Sequence, residues 1–186
     1  DYSTQETIQK QTPLTTFVER VVMQKTTQDN MVDHTDCFGI KFPYVITING
    51  VDISLNSAGD YSLVENNTNL NLSDDDIVHF HFPITVVFND YTQNVITDQA
   101  QYNNLIHDCE EKNEDLGRIN CLNFNYPITI KSYDSNKQVA SSSTVFSNKE
   151  LYGFINVLED NEFIAFAYPL TITNSAGQIV TINDNK

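Results

Sequence analysis

A proline in the middle of an alternating apolar run is the feature that most restricts this chain. Central β-strands reject proline, which has no N–H to give a neighbouring strand. Yet the arrangement occurs four times, in "CFGIKFPYVITING", "IVHFHFPITVVFND", "CLNFNYPITIKSYD" and "FIAFAYPLTITNSA". The prolines concerned, Pro43, Pro83, Pro127 and Pro169, stand 40, 44 and 42 residues apart. A near-constant period of that size signals duplicated supersecondary units.

Aligned on proline, one parity is apolar throughout. One residue before it sit Phe42, Phe82, Tyr126 and Tyr168, and three before sit Ile40, Phe80, Phe124 and Phe166. Three after it sit Ile46, Val86, Ile130 and Ile172. The opposite parity carries Lys41, His81, Asn125 and Ala167, then Val45, Thr85, Thr129 and Thr171. Such period-two alternation predicts a strand with one buried face. The proline lies on the less buried face. We expect the strand to bend there and to change its pairing partner.

Turn residues follow each run: Asn49-Gly50, Asn89-Asp90, Asp134-Ser135-Asn136 and Asn174 to Gly177. Asn-Gly is the strongest of them, because both residues tolerate the positive φ of a tight hairpin. Second strands are expected at Val51–Leu55, Asn94–Thr97, Gln138–Ser141 and Gln178–Ile182. The period then turns helical, with Tyr102, Leu105, Ile106 and Cys109 on one face and Leu151, Phe154, Ile155 and Leu158 on another. Ser147 and Glu150 form a capping box for the latter. A weaker helix is expected around Ser57–Asn66, anchored by Tyr61 and Val64. One further helix precedes the first unit, with Thr12 as cap, Pro13 at its first position and Leu14, Phe17, Val18, Val21 and Val22 as its apolar face.

The predicted fold is α+β: four ββα-type repeats forming antiparallel sheet covered by helices on one face, preceded by an N-terminal helix. Residues 1–11 read as a flexible tail, 12–36 as the helix and a linker, 37–116 as one repeat pair and 117–186 as a second. One continuous sheet of about eight strands is the alternative arrangement.

The net charge of −15 argues against binding the phosphate backbone of nucleic acids. No apolar run approaches the roughly 20 residues that span a bilayer. Asp1, without an initiator Met or signal sequence, reads as the start of a processed form.

The motifs "CFGIKFPYVITING", "FHFPITVVF", "NNLIHDC" and "CLNFNYPITI" resemble tandem repeats in predicted cell-surface lipoproteins of Flavobacteria and related Bacteroidota. The likeness runs over roughly residues 12–186. It implies secretion, a lipid-anchored N-terminus before Asp1, attachment at the outer membrane or cell surface, and no catalytic residues to carry over.

Few residues suggest chemistry. In an oxidising compartment Cys109 and Cys121 would close a short loop as a disulfide, or stand as two buried thiols. Cys37 is then left over, buried or bridging to another chain. His79 and His81 share the outward face of one strand, with Asp74, Asp75 and Asp76 just upstream, and make a weak metal-binding candidate. Acidic loops at Asp74–Asp76, at Glu110, Glu111, Glu114 and Asp115, and at Glu159, Asp160 and Glu162 would suit calcium, although no helix–loop–helix calcium spacing is present. The six glycines form no phosphate loop, and no nucleophile elbow or zinc-binding helix occurs. The expectation is a non-enzymatic surface module that binds a protein partner or membrane-protein complex through sheet faces or edges. The alternative is a glycan- or nutrient-binding surface protein, which the absence of Trp weakens.

Overall fold

The structure, a computed structural model, describes residues 7–70, 77–111, 117–134 and 138–185. Among these residues the chain is mixed α and β, with five α-helices and thirteen strands in four small antiparallel sheets. In chain order the elements are β1 (Ile8–Gln9), α1 (Pro13–Val22), α2 (Asn30–Asp33), β2 (Phe38–Ile40), β3 (Tyr44–Ile48), β4 (Val51–Leu55), α3 (Tyr61–Leu70), β5 (Val78–Phe80), β6 (Ile84–Phe88), β7 (Gln93–Ile96) and α4 (Gln99–Glu111). Then come β8 (Leu122–Phe124), β9 (Ile128–Tyr133), β10 (Val139–Val145), α5 (Asn148–Asn156), β11 (Phe163–Phe166), β12 (Leu170–Asn174) and β13 (Ile179–Ile182).

Two compact units divide the chain. The inner one runs from Gln24 to Asp115 and holds the sheets β2-β6-β7 and β4-β3-β5. The outer one joins residues 1–23 to 116–186 and holds the sheets β1-β11-β9-β10 and β13-β12-β8. Neither unit is built on one sheet, and no continuous eight-stranded sheet exists among the described residues.

The role of the proline is clear from the strand order. Each proline run breaks into a three- or four-residue strand before the proline and a longer one after it, and the two enter different sheets. All four aromatic–proline peptide bonds are cis. The exchange is reciprocal. In the inner unit β2 pairs with β6 while β5 pairs with β3; in the outer unit β8 pairs with β12 while β11 pairs with β9. Four hydrogen bonds repeat the same offsets: the N–H two residues before one proline donates to the carbonyl two residues after the other. They are Lys41 to Thr85 (2.8 Å), His81 to Val45 (3.0 Å), Asn125 to Thr171 (3.0 Å) and Ala167 to Thr129 (2.8 Å). A single hairpin therefore lacks its third strand until a second hairpin supplies it.

The apolar parity forms the cores. Phe38, Ile46, Ile48, Leu55 and Val86 are buried in the inner unit with Tyr61, Val64 and Tyr102 from its helices. Ile128, Ile130, Ile164 and Phe166 are buried in the outer unit with Leu151 and Ile155 of α5. Hairpin geometry follows the turn residues: Asn49 and Gly50 have φ of 53° and 76°, and Gly177 has 76°. Caps follow the polar residues. Thr12 accepts from the Thr15 N–H, Ser147 from the Glu150 N–H, and Asp60 from the Ser57 N–H.

Two boundaries differ from the expectation. The N-terminal stretch is not a free tail at residues 8–10. Ile8 is buried and pairs with Ile164, and the Lys10 ammonium donates to the Asn156 and Leu158 carbonyls that end α5. Nor do residues 12–36 form one segment. Helix α1 belongs to the outer unit, where Val18, Val21 and Val22 join the core, while the stretch from Gln24 onward belongs to the inner unit. The inner unit has helices after both of its hairpins, α3 and α4. In the outer unit α5 follows one hairpin and no helix follows β13 among the described residues, so α1 supplies the second.

Candidate functional site

The cysteines pair otherwise than proximity in sequence suggests. Cys37 is bonded to Cys109, with Cα atoms 6.0 Å apart, and Cys121 is free and exposed. The cause is the apolar face of α4. Tyr102 packs edge-on against Phe38 at 6.0 Å between ring centres, and Cys109, two turns further along the same face, packs on that core beside Cys37. Cys109 and Cys121 belong to different units.

The histidine pair lies where the alternation places it, on the outer face of β5 and just beyond. Both side chains are exposed. His81 Nε2 lies 2.7 Å from Thr47 Oγ1 and 3.5 Å from Asp52 Oδ1, and the Thr47 hydroxyl donates to Asp52 at 2.5 Å. His81 thus belongs to a polar cross-strand cluster. Asp74, Asp75 and Asp76 lie outside the described residues, as do Glu114 and Asp115. Among the described residues no three His, Cys, Asp or Glu side chains converge on a point that would hold a metal ion. At the third acidic stretch, Glu162 accepts from the Glu159 N–H and closes a turn.

The polar stretch "TTQDNMVDHTD", expected only to link elements, holds the two carboxyls that are buried among the described residues, Asp29 and Asp33. A single turn of helix, α2, fixes it, with the Val32 and Asp33 N–H groups donating to the Asp29 carbonyl. His34 closes the turn in the left-handed region, at φ 56°. Asp29 is 3% exposed and Asp33 6%. Asp29 Oδ2 accepts the Ile40 N–H at 2.5 Å, which satisfies a donor on the open edge of β2. Gly39 lies against this carboxylate: a Cβ there would stand 3.5 Å from both of its oxygens, in ordinary van der Waals contact. Asp33 Oδ1 accepts from the Thr35 N–H at 3.2 Å, Asn30 Nδ2 donates to Asp36, and Thr26 Oγ1 donates to the Asp36 carbonyl at 2.6 Å.

Burial drives the electrostatics of this loop. It pushes the Asp29 carboxyl up to about 6, against the pull of the hydrogen bonds it accepts from the Ile40 N–H and its own. It pushes Asp33 up to about 8, with the Asp29 charge adding to it and Asp36 adding less. Tyr44 and Tyr102 are held above the ordinary phenol range by burial first, and Tyr61 is raised to about 12 in the same way. The charges of Asp29 and Asp33 contribute to all three phenols. Tyr44 and Tyr61 share a hydroxyl contact of 3.1 Å, and Tyr102 donates to the Asp33 carbonyl at 3.4 Å.

Two surface features complete the inventory. A shallow cleft of about 490 Å³ lies against α1, lined by Gln11, Pro13, Thr16, Phe17, Arg20 and Ile119, with no carboxylate in its lining. The second strand of every proline hairpin, β4, β7, β10 or β13, ends its sheet. These edges carry exposed β-branched residues: Val51 (49%), Val95 (62%), Val139 (60%) and Ile179 (70%). No helix among the described residues is long and apolar enough to cross a membrane. Comparison with known proteins finds no matching family model, no matching curated protein and no matching solved structure.

Proposed function

We propose that this chain is a four-copy repeat protein of the Bacteroidota surface-lipoprotein type, exported and held at the outer membrane or cell surface by a lipid anchor. Each copy is a ββα block, and helices cover one face of the sheets the blocks build. The protein works by binding another protein, not by catalysis. The observation that carries this reading is the set of open sheet edges, each bearing an exposed β-branched side chain. A row of unpaired N–H and C=O groups beside apolar side chains is the template for strand addition, in which an extended segment of a partner supplies the missing ladder. Sequence likeness in the proline motifs supports the family. The acidic surface favours a partner with basic residues flanking its extended segment.

Glycan binding has less in its favour. Sugar platforms favour Trp and Tyr rings, but the sequence has no Trp, and every described tyrosine is buried or half-buried; the exposed rings among the described residues are Phe17 and Phe146. A pull-down of the native protein from its own membranes, with mass spectrometry of what is retained, tests the reading. A discrete partner is expected. It should be lost when Val95, Val139 and Ile179 are changed to Lys, which charges three edges without touching a core. Retention of no stable partner, or equal capture by the edge variant, would count against it.

A further inference from the structure

We propose that the Asn30–Asp36 loop binds one oxygen-preferring divalent cation, calcium in the first instance, through Asp33 Oδ2 and Asn30 Oδ1, with the Asp36 carboxylate closing the set.

Asp33 Oδ2 and Asn30 Oδ1 are buried and have no hydrogen-bond partner. A buried acceptor without a partner is rare and costs about 1–3 kcal/mol, and more if charged. Positions 30 and 33 are three residues apart on one turn of helix, so their side chains share a face. Asp33 is more than nine-tenths buried, and the electrostatic influence of Asp29 on one side and Asp36 on the other reaches it. Among the described residues no Lys or Arg pairs with any of these three carboxylates. Three neighbouring carboxylate oxygens are occupied: Asp29 Oδ2 by the Ile40 N–H, Asp33 Oδ1 by the Thr35 N–H, and Asp36 Oδ1 by Asn30 Nδ2. What remains is a pair of hard oxygens among acidic side chains, one from a carboxyl and one from an amide.

That donor set suits calcium, which takes carboxylate and amide oxygens in flexible geometry, better than zinc, which takes His and Cys. The described carboxylates do not by themselves converge as a threesome. The amide oxygen of Asn30 is therefore the third donor, and water would complete the shell.

The test uses the full chain stripped with chelator. Calorimetric titration with calcium is expected to show one saturable site that Asp33→Asn weakens by about tenfold or more. A chain with Asp74, Asp75 and Asp76 changed to Asn should keep the site. No saturable binding to the wild type, or equal binding by Asp33→Asn, overturns the proposal, the second outcome placing the ion elsewhere on an acidic surface. Should Asp33→Asn fail to fold, terbium replaces calcium as the probe on the wild-type fold. The chain has no Trp, so sensitised terbium emission must come through tyrosine. It is expected to be displaced by calcium and to fall in Tyr102→Phe, whose hydroxyl reaches the Asp33 carbonyl. Emission that is absent, or unchanged in Tyr102→Phe, overturns the proposal.

Discussion

The inner and outer units share one plan and complete it by different means. Both exchange pre-proline strands between two hairpins, and both bury the same parity of the proline runs. The inner unit is self-sufficient in sequence: residues 24–115 provide both hairpins, both covering helices and a disulfide that ties β2 to α4. Its core is a network of aromatic contacts running from Phe42 through Tyr44 and Phe80 to Tyr102. The outer unit borrows. Its second helix and a fourth strand on one sheet come from the N-terminal segment, it has no disulfide, and its cysteine faces solvent. A reciprocal strand exchange fixes the sheets, but it leaves the covering helix open to supply from anywhere in the chain.

The comparison breaks most sharply at α1. Val22 is fully buried in the outer core. Val22→Asp places an unpaired charge there, at a cost of several kcal/mol. Hydrogen exchange should show β8–β9 and β11–β12 losing protection while β2–β4 keep theirs. Joint loss would mean that the two units fold as one.

Reduction of Cys37–Cys109 is the next largest perturbation. The bond closes a separation of 72 residues, worth about 4 kcal/mol in the chain-entropy model. Double replacement by Ala should lower the denaturation midpoint of the inner unit alone, and Cys121→Ser should move neither transition. A matched pair of cavities then compares the cores. Ile46 and Ile130 hold the same place three residues after proline, and each is wholly buried. Ile46→Ala and Ile130→Ala should each cost about 2–5 kcal/mol, each in its own unit.

The most gradual effect concerns pH, measured in chelator. Asp29 and Asp33 hold protons more tightly folded than unfolded, where their ordinary value is 3.8. The fold gains from this below about pH 4, and the gain is lost as pH climbs through about 6 for Asp29 and about 8 for Asp33. Inner-unit stability attributable to these groups should fall by up to about 1.4 kcal/mol per pH unit for each group titrating in that window. Asp33→Asn should flatten the upper part of the slope. Tyr44, Tyr61 and Tyr102, which face the same carboxylates, titrate above this range.

Local chemistry was the legible part of the sequence. The second strand Val51–Leu55 lies where the turn at Asn49-Gly50 sets it, and the α4 face from Tyr102 to Cys109 is the face that packs. Periodicity reports which side of an element is buried, not what buries it. For that reason the strand break at proline could be read, while the reciprocity between runs required coordinates. The same limit explains the cysteines, since the inward face of α4 carries no mark that Cys37 lies opposite. β1 is too short for any period to register. Asp29 and Asp33 escaped notice because a polar stretch without alternation reads as linker, and a carboxylate that caps an open strand edge leaves no signature in its neighbours.

The central claim is reciprocal exchange at the prolines, and through-hydrogen-bond couplings in the NMR spectrum of the labelled chain test it most directly. Coupling is expected from the Lys41 N–H to the Thr85 carbonyl together with coupling from the His81 N–H to the Val45 carbonyl, and likewise for Asn125 with Thr171 and Ala167 with Thr129. Couplings that instead join each pre-proline strand to its own following hairpin would contradict the account.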